Sequence, residues 1–199
     1  MNSKSLKKIL RLHVLWIKRD HAGKRANLDG AILNGAILTG ADLTNASLID
    51  ANLSGAHLTE ANLTGANLSN ANLRNANLNG ANLTRAWLID ADLTDADLSG
   101  AILDGAILDG ANLNGADLTG ANLRNASLSR AILTGAILSG ASLRFANLTD
   151  ANLYDANLTR ADLANANLTR ADLNGANLDG ARYLKSVILR DKNELNLVG

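Results

Sequence analysis

The sequence predicts an all-β solenoid, a four-sided β-helix that turns a corner every five residues, with an N-terminal α-helical cap. Three observations lead there. Ala stands at every fifth position from Ala26 to Ala181 and Leu at every fifth position from Leu28 to Leu178, thirty-one consecutive units without a slip of register. The residue two places after each Leu is Gly in fifteen units and mostly Asn or Asp in the others. The rest of the apolar set is too narrow for a core of interlocking unlike shapes, since one Phe, two Tyr, two Trp and one Met accompany a great excess of Leu and Ala.

A period of five fits neither regular element. On an α-helix successive Leu residues would advance about 140° and wind over the whole surface. On a straight strand an odd period sends alternate Leu residues to opposite faces. A corner in each unit removes the conflict, because every Leu then points to a common axis. Gly, Asn and Asp at the fifth position tolerate the turn conformations a corner needs. Four corners close a coil of twenty residues, with Ala beside each inward Leu and the other three positions facing solvent.

The predicted elements follow in chain order. Residues 1–25 form a basic amphipathic helix and cap: Leu6, Ile9, Leu10, His13, Val14 and Ile17 follow three-and-four spacing, with Lys4, Lys7, Lys8, Arg11 and Lys18 largely elsewhere. Residues 26–180 form the repeat, whose hydrogen bonds must run between coils and whose two ends need covering. Residues 181–199 lose the register at Arg182 and Tyr183 and, with Val187, Ile188 and Leu189, read as a closing segment or a dimer contact.

The formal charge of zero hides a division. Residues 1–25 carry +7, residues 26–180 carry −9 and residues 181–199 carry +2. The absence of cysteine excludes disulfides and thiolate metal sites. The apolar run Leu12–Ile17 is too short to span a bilayer and precedes Lys18, Arg19 and Asp20, so neither a signal peptide nor an integral membrane segment is expected. No catalytic constellation emerges. His13, His21 and His57 are scattered, the recurrent Gly has no following Lys of a phosphate loop, and no Ser-His-Asp grouping is indicated. The protein is therefore expected to be no enzyme, with no cofactor, metal or small-molecule substrate.

Units such as Ala41-Asp42-Leu43-Thr44-Asn45 and Ala116-Asp117-Leu118-Thr119-Gly120 resemble those of the pentapeptide-repeat family. The resemblance covers residues 26–180 and implies that family's right-handed quadrilateral β-helix, here of nearly eight coils. The segment from Leu12 to Ile17 with Gly23-Lys24-Arg25 looks like the leader of many bacterial members, which supports the cap. One departure is that the central residue is always Leu and never Phe.

Twenty-residue stacking also predicts a surface. Asp97 sits one coil from Asp117, near Asp90, Asp92 and Asp95, as an acidic patch; Trp87 sits one coil from Ile107, with Ile102 round the adjacent corner. These eight residues are the candidate interaction surface, and Trp87 with Ile107 is the favoured docking spot. Arg124 stacks on Arg144, while Arg130, Asp150 and Arg170 form a column of alternating sign. The leading expectation is a non-catalytic, cytoplasmic interaction or scaffold protein of bacterial, cyanobacterial type. Its partner is another protein rather than nucleic acid, and it is a monomer or an end-to-end dimer. The alternatives are a DNA mimic acting on a type II topoisomerase such as gyrase, as the resemblance allows, and peripheral membrane attachment through the basic helix.

Overall fold

The computed structural model describes residues 3–182, so most of the predicted closing segment lies outside the described residues. One helix, α1, spans Ser3–Ile17. Its apolar stripe meets the solenoid, with Leu6, Ile9 and Leu10 packed on the core. A Schellman turn ends it. Arg19 takes the left-handed conformation at φ 60°, Arg19 N donates to Trp16 O at 2.9 Å, and Asp20 N donates to Leu15 O at 2.9 Å. Gly23 then passes so close that a Cβ there would stand 2.1 Å from the Trp16 backbone nitrogen. That approach lets Lys24 N donate to Leu12 O at 3.0 Å.

From Asn27 onward the chain coils. Parallel bridges join second-position residues twenty apart, from Asn27↔Ser47 to Asp162↔Arg182. Four faces result. Face 1 carries second positions from Asn27 to Asn167, face 2 from Ile32 to Asp172, face 3 from Ile37 to Asn177 and face 4 from Asp42 to Arg182. The expectation of a β-solenoid needs one refinement. The bridges are single residues, and among the described residues no longer strand forms, because a corner in every unit leaves only the second position in ladder register. Leu and Ala fill the interior, and from Leu43 to Leu163 each Leu is at most 1% exposed.

The corners have one cause. Every fifth-position residue of the repeat has positive φ, from Gly30 at 61° to Gly180 at 66°, including Glu60, Arg85 and Phe145. The preceding fourth position does not, and the following Ala N donates to the Leu carbonyl, as Ala51 N does to Leu48 O at 3.1 Å. A positive φ at the third turn residue alone defines a type II turn, which favours Gly or Asn there.

Four of the five N–H groups in a unit are thereby accounted for by backbone. In the unit from Ala81 to Arg85, Ala81 N donates to Leu78 O, Asn82 N to Ala61 O in the coil before, and Leu83 N and Arg85 N to Ile102 O and Asp104 O in the coil after. The fourth N–H remains, and a side chain takes it: Thr84 N donates to Asn82 Oδ1 at 3.0 Å. This Asx turn occurs in every unit with Asn or Asp at the second position, from Asp29 N on Asn27 Oδ1 to Asp179 N on Asn177 Oδ1. Asn and Asp stand there to complete the backbone's hydrogen bonding. Solvent exposure alone, the reason given by the sequence, misses this.

α1 lies against the first units of the repeat. The first-coil residues Leu28, Leu33, Leu38 and Leu43 are at most 3% exposed. His13 is wholly buried and its Nδ1 accepts from Ala26 N at 3.0 Å, joining the helix to the first unit, while Trp16 stacks on its ring at 5.5 Å. At the other end of the described residues Leu173 and Leu178 are partly exposed.

Burial lowers the pKa of His13 against the opposing pull of the Asp42 carboxylate and the Thr44 backbone, with Arg25 adding to the lowering. The unfolded chain therefore takes up a proton below about pH 6.5 that the folded chain resists, so stability is full above that pH and falls below it. The melting temperature should drop further between about pH 7.5 and pH 5.5 for wild type than for His13→Gln; equal drops would contradict this role. Replacing Asn122, which caps the Arg124 amide, by Ala should cost about 1 kcal/mol in urea unfolding. Asn114→Ala, at an exposed fourth position, should be near neutral.

Candidate interaction surface

Eleven units have no Asn or Asp at the second position, and their fourth N–H must look elsewhere. In two, the Asp one coil earlier supplies the acceptor. Asp29 Oδ1 takes Ile49 N at 3.0 Å together with Ser47 Oγ, and Asp109 Oδ1 takes Ser129 N at 3.1 Å together with Ser127 Oγ. In the remaining nine the fourth N–H has no acceptor among the described residues, and seven of these nine carry Ile or Trp at the second position.

Three such apolar units lie together. Trp87 and Ile107 are bridged on face 1, and Ile102 stands on face 4 across the corner made by Gly105. Trp87 is 49% exposed and Ile102 40% exposed, whereas Ile107 is half-buried. The structure adds a residue that the second-position pattern did not single out. Ile89, at the fourth position of the Trp87 unit and 37% exposed, extends the island along face 1. A scan of apolar residues at fourth positions finds it in the sequence. The uncapped amides of Ile89, Asp104 and Asp109 border this island.

The five acidic residues do not form one flat patch. Asp97 and Asp117 are bridged on face 3, Asp92 lies on face 2, and Asp90 and Asp95 occupy the corners on either side of it. With Asp104 on face 4 and Asp109 on face 1, the carboxylates surround the shaft. Residues 86–123 hold seven Asp and no Lys or Arg. Several of these carboxylates are fixed locally. Asp97 Oδ1 accepts from Ser99 N at 2.9 Å, Asp117 Oδ1 from Thr119 N at 2.8 Å, and Asp104 Oδ1 from Asn125 Nδ2 at 3.0 Å. Asp90 leans up its corner, its Oδ1 only 2.2 Å from where a Cβ on Gly110 would be. Burial acts to raise the pKa of Asp92, but hydrogen bonds from the Thr94 hydroxyl and amide, with Arg74 at 3.1 Å, outweigh it and leave the group below its ordinary range.

Arginines bound this belt. Arg74 and Arg85 lie below it and Arg124, Arg130 and Arg144 above. Arg144 reaches Asp162 at 3.4 Å and lies over the Phe145 ring at 5.7 Å. Arg170 grips Asp150 through two nitrogens, and this hydrogen bonding is the main cause holding the Asp150 carboxyl below its usual range. The expected column of alternating sign is thus present. No helix among the described residues is long and apolar enough to cross a membrane.

A narrow repeat solenoid with its interior filled by Leu and Ala presents function on its faces. A profile of pentapeptide repeats matches in eight copies over residues 24–59, 56–95, 76–115, 91–130, 111–150 and 146–182. The chain belongs to the pentapeptide-repeat family. It is similar to HetL, a pentapeptide repeat protein involved in heterocyst differentiation regulation from the cyanobacterium Nostoc sp. strain PCC 7120. The identity is 45% over 80% of this chain and 73% of that one, with a TM-score of 0.78. Rfr23, from the cyanobacterium Cyanothece 51142, is 34% identical over 60% of each chain, with a TM-score of 0.37. Trypsin-treated QnrB1, a plasmid-mediated fluoroquinolone resistance protein, shares the fold at 22% identity over 81% and 88% of the two chains, with a TM-score of 0.52. No curated protein sequence matches the chain.

Proposed function

We propose that this protein is a non-catalytic, cytoplasmic interaction module that binds another protein through the faces around Trp87, Ile102 and Ile107. The observation that carries the reading is the apolar island itself, which includes a half-exposed Trp. Trp is favoured where binding energy concentrates, and a pre-formed face loses little entropy on docking. HetL, 45% identical, is involved in regulating heterocyst differentiation, and a regulatory contact of that kind is the role proposed for this chain. DNA mimicry is less well supported. Arginines confine the basic-free belt to about two coils, roughly 10 Å at the spacing of stacked strands.

The finer architecture is part of the same proposal. The coil is right-handed, thirty-one units over four faces give nearly eight coils, residues 1–25 cap one end and residues 181–199 close the other.

Affinity capture from a bacterial lysate tests the function. The wild type should retain a protein that the Trp87→Asn/Ile107→Asn double variant loses. Both substitutions convert their units to the repeat's commonest form and supply the missing amide acceptor, so the fold should survive, as circular dichroism would check. Identical retention by both chains, or turnover of a substrate by the isolated protein, would contradict the proposal.

A further inference from the structure

Three apolar corners of the repeat are exposed. Ile32 and Ile37 line a cleft with Leu6, Lys7 and Leu10 of α1, and Ile132 and Ile137 have Thr134, Ser139 and Arg130 around them, a rim with no single sign. The third, around Trp87, differs. Asp90, Asp104 and Asp109 border it, with Arg85 at its lower corner, the stem against Gly105, and Arg124 one coil above Asp104, so acids outnumber bases there three to two.

We infer that this island docks a cationic amphipathic segment of a partner protein, with apolar residues on Trp87, Ile89, Ile102 and Ile107 and Lys or Arg over Asp90, Asp104 and Asp109. The inference rests on the interaction reading above and names the partner's chemistry. Charge complementarity selects the occupant, because an anionic or acidic segment would meet the carboxylates of Asp90, Asp104 and Asp109 at the rim. Burial of the island gives affinity, and the rim gives orientation and on-rate. The uncapped amides of Ile89, Asp104 and Asp109 are donors that a partner's carbonyls can satisfy.

A short amphipathic peptide of Leu and Lys, with Leu at helical spacing, is the probe, and the full-length protein is titrated with it by calorimetry. Tighter binding at low salt is expected, weakened at least about tenfold by Trp87→Asn/Ile107→Asn and comparably by Asp90→Asn/Asp104→Asn/Asp109→Asn. The second variant removes charge while keeping every carboxamide oxygen as an acceptor. A matched Leu and Glu peptide should not bind. Equal binding of both peptides, no binding of the Leu and Lys peptide, or equal affinity for all three chains would overturn the inference. Self-association of the wild type, abolished by the same substitutions, would overturn it in favour of a second copy as occupant. Failure with the peptide alongside Trp87-dependent capture from lysate would sink the cationic partner and leave the interaction reading standing.

Discussion

Everything in this fold depends on the left-handed backbone at the fifth residue of each unit. That one conformation turns the chain through a type II corner, so Leu points inward four times per coil. It also returns the backbone to register after twenty residues, where the second-position, Leu and fifth-position amides find carbonyls in neighbouring coils. Gly supplies the conformation without strain and Asn or Asp nearly so, whereas Glu60, Arg85 and Phe145 adopt it at a cost that the surrounding hydrogen bonds impose.

The same geometry leaves one amide per unit unmatched. Its usual solution, an Asn or Asp two residues earlier, ties the outer surface to the integrity of the backbone. A surface residue of this protein is therefore rarely free to serve binding alone. Where Trp87, Ile102 and Ile107 replace the acceptor, the unit forgoes a hydrogen bond worth about 1 kcal/mol and exposes apolar surface as well. Two local losses therefore coincide in that region, as they do at Ile32 and Ile37 and at Ile132 and Ile137.

The period of five, read against the periods of helix and strand, was enough to recover the corner, the inward Leu, the twenty-residue coil and the stacking of Trp87 on Ile107 and Asp97 on Asp117. The amphipathic spacing of Leu6, Ile9 and Leu10 likewise identified α1 and its buried face. The Asx turns were not legible, because the leftover amide becomes visible only after the other four are assigned to partners in space. Ile89 was not legible from the second positions, because it departs from the pattern at the fourth. The arrangement of Asp90, Asp92 and Asp95 around corners, instead of on one plane, required knowing which side of each corner a residue occupies.

The most direct measurement is hydrogen exchange resolved to single amides in the free protein. The amides of Thr84, Thr94 and Asn114, capped by Asn82, Asp92 and Asn112, should be protected, while those of Ile89, Asp104 and Asp109 in the same coils exchange rapidly. Equal protection at all six would contradict the view that the apolar island lies where the repeat leaves its backbone uncapped.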